Sequence, residues 1–259
     1  MARASHLVVL TAAVALVAAA TAASAAAQPR TLVVGSSATY PPFAYENPQK
    51  QIVGFDVDII RAIAQKSGLQ VRIVNTPFVG IFASLNNGDI DLIVSGVTIN
   101  DRRRQSYDFT APYFEARQLI AVAASSAVKT VQDLAGKKVA VVTGSTADDV
   151  ASRAFGKTSA NIRRFDTTPL IISELVNGGV DAAIGDNGVI AYRAQEHKSL
   201  KTVNDPTLPK EYFGIAVKQG NAGLQGTLNK GLAAIIADGT YATIYRTWFK
   251  AEPPVLPKQ

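Results

Sequence analysis

Short apolar runs alternate with amphipathic segments along most of this chain, the pattern of βα units packed into largely parallel sheets. β-Rich runs predict strands at 31–34, 71–74, 91–94, 119–123, 138–142, 162–165, 181–184 and 213–217. Residues 55–65 put Ile59, Ile60, Ile63 and Ala64 on one helical face, and Gly68 can end that helix. Short helices are predicted at 81–86, closed by Asn87-Gly88, and at 131–134. Gly144-Ser145-Thr146 leads into another helix that ends near Phe155. Pro169 opens the helix 170–176, where proline is tolerated. Helices at 188–195, 224–237 and 240–249 complete the set. Asp101 is the expected cap of a helix carrying Arg102, Arg103 and Arg104.

The first 27 residues depart from this pattern and read as an export signal. Arg3 supplies a weak positive start, the run 7–20 is apolar, and Ala23-Ser24-Ala25 and Ala25-Ala26-Ala27 each fit a cleavage site. The run is short and Ala-rich for a bilayer span, which favours cleavage over anchoring. No cysteine follows, so lipid attachment to an N-terminal Cys is not available. No other long apolar run occurs, so the mature protein is expected to be soluble.

One internal echo bears on organisation. Residues 84–94, Ser-Leu-Asn-Asn-Gly-Asp-Ile-Asp-Leu-Ile-Val, resemble residues 174–184, Glu-Leu-Val-Asn-Gly-Gly-Val-Asp-Ala-Ala-Ile, 90 positions later. Both read as a helix end, an Asn-Gly turn and a buried strand. That separation is too long for a solenoid repeat and suits two similar lobes. Each strand runs into polar sequence at its carboxyl end: Ser95-Gly96-Val97-Thr98 and Gly185-Asp186-Asn187. Open α/β sheets bind ligands outside those ends.

Composition narrows the chemistry. The 259 residues are 47% apolar, enough for one large core or two modest ones. The net charge of +6 is scattered apart from the three arginines, so no basic stripe points to nucleic acid. With no cysteine and only His6 and His197, thiol chemistry and His-rich metal sites are disfavoured, and no cofactor is implied. His197 sits among Glu196, Lys198 and Ser199, an exposed helix end unsuited to a hydrolytic triad. No phosphate-binding glycine motif occurs, and the adjacent Asp148 and Asp149 point apart on a helix. These absences favour binding over catalysis.

More specific motifs come in order. Tyr40-Pro41-Pro42-Phe43 is followed by Gly54-Phe55-Asp56-Val57-Asp58, Gly88-Asp89-Ile90-Asp91, Gly96-Val97-Thr98-Ile99, Arg103 and Phe109-Thr110-Ala111-Pro112-Tyr113. From about Leu32 to Phe249 the chain resembles the polar-amino-acid-binding proteins of bacterial ATP-driven uptake systems, family 3 of the extracellular solute-binding proteins. The resemblance implies an α/β protein of two Rossmann-like lobes joined by a two-strand hinge, the type II periplasmic binding architecture. It implies lobe one at 28–113 plus 212–259 and lobe two at 114–211, with hinge strands near 114–117 and 211–214. Its partners would be a small amino acid or amino acid derivative and the transporter's membrane subunits, and a monomer is expected.

The resemblance also implies roles for single residues. Tyr40 and Phe78 would pack on opposite sides of the ligand. Gly96 and Thr98 would contribute backbone and hydroxyl contacts. Arg103 would clamp the α-carboxylate, with Ser145 and Thr146 adding to it, and Asp186 would take the α-ammonium. Each role has a physical basis: a buried zwitterion needs both charges paired, Arg meets carboxylate bidentately, and a helix start favours an anion. Alternatives stay open at this level. Tyr40 and Phe78 suit a plain core, Arg102 or Arg104 could replace Arg103, Asp186 could cap the next helix, and Gly144-Ser145-Thr146 could be only a turn.

Four positions depart from well-known branches of the family. Ser37 stands where many members are acidic, Val142 where the Gln-binding branch has lysine, Gly185 where it has histidine, and Ala147 where others are polar. This leans towards a neutral or small ligand, or one read through water. A second expectation is a cyclohexadienyl (arogenate/prephenate) dehydratase-like enzyme on the same fold. It needs a general acid in the cleft, and no carboxylate beyond Asp186 is in view. A receptor ectodomain is a third reading, disfavoured because no membrane span precedes Gln259.

Overall fold

The computed structural model describes residues 30–257, so the predicted signal segment 1–27 lies outside the described residues. Two five-strand sheet paths and a small third sheet are present. The first sheet runs in the order β5 (Val71–Asn75), β1 (Leu32–Ser36), β6 (Leu92–Ile93), β14 (Ala216–Lys218) and β7 (Tyr107–Phe109). The second runs β10 (Ile162–Phe165), β9 (Val139–Val142), β11 (Ala182–Asp186), β8 (Phe114–Ala123) and β12 (Leu200–Val203). Within them β1, β5 and β6 are parallel, as are β9, β10 and β11. The largely parallel character expected from the sequence holds for four of the five strands on each path; the exceptions are β14, antiparallel to both β6 and β7, and β8, antiparallel to β11 and β12. The cause is the crossing chain, which enters each sheet from the opposite end.

The predicted strand 213–217 is two strands. β13 (Lys210–Phe213) pairs with β8, whereas β14 pairs with the first sheet. A segment serving two sheets must bend, and it does so at Gly214-Ile215. A Cβ on Gly214 would stand 2.7 Å from Ile99, so only glycine lets the bend pack there. β8 also serves twice. Its first half pairs with β13, Phe114 opposite Phe213, and its second half pairs with β11, Gln118 opposite Asp186. The strands β2 (Thr39–Tyr40), β3 (Ala44–Glu46) and β4 (Ile52–Val53), together with β7 and β12, had no apolar run long enough to announce them.

Helices cover the faces. α1 (Phe55–Ser67) buries Ile59, Ile60 and Ile63 against the first sheet and ends at Gly68, whose φ of 64° and N–H to Ala64 form a left-handed cap. α2 (Ile81–Asn87) covers the other face with Ile81 and Leu85. α3 (Asp101–Arg104) follows; its cap is Asn100 rather than Asp101, with the Asn100 side chain accepting from the Arg103 amide. In the second sheet α4 (Thr146–Phe155) packs Val150 and Ala151 on one face. On the other, α5 (Thr168–Val176) and α6 (Asn187–Gln195) pack Ile171, Ile172, Val189 and Ile190. α7 (Ala222–Ala237) and α8 (Thr240–Phe249) close over α1 with Leu228, Leu232, Ile235 and Tyr241. Each of the Val, Leu and Ile side chains contributes about 1.5–3 kcal/mol on burial. The echoed segments occupy matching places: α2 and α5 each lead through a left-handed glycine, Gly88 or Gly178, to an inner strand, β6 or β11.

Candidate functional site

The carboxyl ends of β1, β6 and β11 open on one cavity between the lobes. All nine residues singled out from the sequence line it: Ser37, Tyr40, Phe78, Gly96, Thr98, Arg103, Ser145, Thr146 and Asp186. The four departures from well-known branches, Ser37, Val142, Ala147 and Gly185, line it too.

Arg103 is the arginine that faces inward. It is 6% exposed, while Arg102 and Arg104 are exposed. The four-residue helix α3 sets this register, because the Asn100 cap fixes where the turn begins. Nη1 of Arg103 donates to Thr98 O at 2.8 Å and Nη2 to Gly144 O at 3.4 Å. Its guanidinium lies 5.9 Å from the Phe78 ring centre and 5.3 Å from that of Phe82. Among the described residues no carboxylate forms an ion pair with it. Burial, with Arg102 nearby, lowers its pKa to about 10. Arg102 instead reaches across to Asp149 at 3.0 Å.

Asp186 stands at the end of β11. It is the cap position of α6, yet its side chain makes no capping bond. Its Oδ2 accepts from the Tyr40 hydroxyl, and its Oδ1 accepts from Gln118 Nε2 at 2.6 Å. Burial raises its pKa to about 7, with Glu211 adding to the rise and Tyr40, Gln118 and Arg103 opposing it. Tyr40 therefore bridges the lobes, its ring stacked 5.5 Å from Phe43 and its hydroxyl on Asp186. Gly96, at φ 56°, makes room for that ring, since a Cβ there would lie 2.6 Å from Tyr40 Cε1.

A buried carboxylate supports this wall from behind. Asp56 accepts from the Gly96 amide at 2.7 Å and from the Tyr113 hydroxyl at 2.9 Å. Burial raises its pKa to about 7 against those two bonds. Gly54-Phe55-Asp56 and Phe109-Thr110-Ala111-Pro112-Tyr113 thus meet beneath the Gly96 loop. Opposite, Ser145 caps α4, its Oγ accepting from the Asp148 amide at 3.2 Å and donating to Val142 O at 2.7 Å. Its hydroxyl is committed to the turn. What α4 presents to the cavity is its amide-bearing start at Thr146 and Ala147.

Sequence reasoning missed Gln118, Glu211, Phe82 and the segment Asp166-Thr167-Thr168, which lines the lobe-two wall. Glu211 Oε2 accepts from Thr146 Oγ1 at 2.8 Å, Thr98 Oγ1 at 3.0 Å and Gln118 Nε2 at 3.2 Å. A second carboxylate therefore stands beside Asp186, correcting the expectation of none. Gln118 had one legible signal: a polar residue at the edge of the apolar run 119–123. Glu211 had none, because its place comes from the pairing of β13 with β8.

Two α/β lobes joined by paired strands, with a polar cavity between facing strand ends, define a solute-binding protein of the type II architecture. The chain belongs to the bacterial extracellular solute-binding proteins, family 3, whose model matches residues 32–251. It is 38% identical over 222 residues to the protein named probable histidine-binding protein of Neisseria gonorrhoeae, covering 85% of this chain and 83% of that one. It is 32% identical over 219 residues to ABC transporter arginine-binding protein 1 of Escherichia coli K12, covering 83% and 89%. Among solved structures it is similar to the arginine-, lysine-, histidine-binding protein ArtJ of Geobacillus stearothermophilus, with TM-score 0.83, 40% identity and coverage of 86% and 97%. It is also similar to the ancestral amino acid-binding protein AncCDT-1, a precursor of cyclohexadienyl dehydratase, with TM-score 0.78, 34% identity and coverage of 85% and 95%. Among the described residues no helix is long and apolar enough to cross a membrane.

Proposed function

We propose that this chain is the periplasmic capture component of an ABC-type uptake system for a polar amino acid, exported by a cleaved signal at 1–27. Arg103 holds the α-carboxylate together with the start of α4, Asp186 holds the α-ammonium, and Tyr40 and Phe78 flank the ligand. Ser37, Gly96, Thr98, Ser145 and Thr146 complete the wall. The observation that carries this reading is Arg103: a buried guanidinium on the cavity with no carboxylate partner among the described residues, facing a cavity that Asp186 also lines. An α-amino acid supplies both missing charges at once.

The lobes, 28–113 plus 212–259 and 114–211, close about β8 and the β13–β14 bend, and ligand favours the closed form by bonding both sides. A thermal-shift screen across the amino acids and opines, followed by calorimetry, tests the reading. The expected outcome is one strong class of ligand with Kd of about 1 μM, roughly −8 kcal/mol. No shift with any amino acid would refute it.

A second reading is dehydratase-like chemistry. It is favoured by one observation: Asp186, with its pKa near 7 beside Glu211, is a carboxyl able to hold a proton in the cleft. Incubation with prephenate and arogenate, followed by ultraviolet scanning, distinguishes the two. Turnover would displace the binding role.

A further inference from the structure

Glu211 does not line the cavity, yet it accepts from two side chains that do, Thr98 and Thr146, and from Gln118. One donor, Thr146, begins the lobe-two helix α4; another, Thr98, sits in the lobe-one loop after β6; the third, Gln118, is on the strand that joins the lobes. A carboxylate has no proton to give, so Thr98 and Thr146 each spend their single hydroxyl proton on it. Only oxygen lone pairs remain on those hydroxyls, and that of Thr146 already accepts from Gln118 Nε2 at 3.0 Å.

Gln118 extends the arrangement to Asp186 through its Nε2 at 2.6 Å. Turning both amide hydrogens towards carboxylates leaves Gln118 Oε1 buried without a hydrogen-bond partner. A buried orphaned acceptor is disfavoured by itself. The amide is therefore held in this sense by the two negative charges. One guanidinium, Arg103, then stands against one carboxylate on the cavity, Asp186, and a second, Glu211, behind the two threonines.

We propose that Glu211 is a specificity-determining residue of the cleft. It turns the Thr98 and Thr146 hydroxyls into acceptors and adds a second negative charge beside Asp186, so that the site takes carboxylates bearing a protonated amine and rejects their 2-hydroxy counterparts. This rests on the amino-acid reading above and adds a residue to it. A ligand carboxylate meets Arg103, and its ammonium then meets Asp186, with the charge of Glu211 adding to the attraction from behind the threonines. A 2-hydroxy acid brings its carboxylate to a cavity already short of positive charge and offers one neutral hydroxyl donor where the amino acid offers a cation.

Glu211→Gln tests this, because the amide oxygen can replace Oε2 while the charge is lost. Calorimetry uses L-histidine, L-arginine and L-glutamine, each with its 2-hydroxy counterpart, from pH 5.5 to 8.5. The variant is expected to bind the amino acid at least about tenfold more weakly and the hydroxy acid no more weakly than wild type, so that the discrimination narrows. The pH midpoint of amino-acid binding should also move down, since Glu211 helps raise Asp186; the other charged or titratable groups acting on Asp186 are Tyr40 and Arg103. Glu211→Asp keeps the charge and should keep both the discrimination and the pH profile. Equal loss for both ligand types, an unmoved midpoint, or an Asp variant that behaves as the Gln variant overturns the proposal. Wild-type protein that binds none of the three amino acids removes the amino-acid reading itself, and this proposal with it.

Discussion

Replacing Arg103 with methionine separates what the residue does for the fold from what it does for the ligand. Burial lowers its pKa from 12.5 to about 10. At about 1.4 kcal/mol per unit, holding the cation there costs roughly 3 kcal/mol relative to water. Removal also gives up the bond to Thr98 O at 2.8 Å, the weaker one to Gly144 O at 3.4 Å and two ring contacts. Those are together worth about 2–4 kcal/mol. Methionine refills most of the volume, so the opposing contributions nearly cancel. Unliganded Arg103→Met should unfold within about 1 kcal/mol of wild type, a shift of a few degrees in calorimetry. Binding has no such compensation. On the proposed reading the ligand carboxylate loses its partner in a closed cleft, about 2–5 kcal/mol, so affinity should fall at least thirtyfold. Titration calorimetry with whichever of L-histidine, L-arginine or L-glutamine binds wild type reads this directly. Affinity within threefold of wild type refutes the clamp, and a melting point lowered by more than about 10 °C refutes the cancellation.

Three further outcomes are expected. Asp186 titrates near 7 in the free cleft and must be ionised to hold an ammonium, so affinity should drop about tenfold from pH 8 to pH 6; equal affinities at both would contradict its role. Asp56 and Asp186 are acids with folded pKa values raised to about 7, so their share of stability is fully present below about 3.8 and is lost as pH rises to 7. The unliganded protein should therefore melt higher at pH 5 than at pH 7.5, and Asp56→Asn should flatten that slope; a melting point that rises towards pH 7.5 counts against the burial argument. Gly188 is the second residue of α6, and a Cβ there would stand 2.6 Å from the ring of Phe43, which is packed among Phe55, Phe114, Phe213 and Phe249 and has little room to yield. Gly188→Ala should weaken ligand binding by hindering closure while leaving the unliganded melting point nearly unchanged, and undiminished affinity would show that the two surfaces part at no cost.

Local signals carried much of the fold by themselves. The 3.6-residue spacing of Ile59, Ile60 and Ile63 set the buried face of α1, and Gly68 and Gly88 ended α1 and α2, because helix periodicity and left-handed caps depend on nearby residues alone. The Gly144-Ser145-Thr146 turn likewise announced the start of α4, and the ordered motifs brought nine residues towards one cavity. Tertiary structure decided the rest. Which of three adjacent arginines faces inward depended on the Asn100 cap. Splitting 213–217 into β13 and β14 depended on one segment joining two sheets. Gln118 meets Asp186 through the register of β8 with β11, and Glu211 joins them through β13, 68 and 93 positions from Gln118. No pattern within a few residues encodes such pairings. The raised pKa of Asp186 follows the same logic, since it comes from burial and from a neighbour that only the hinge strands bring near.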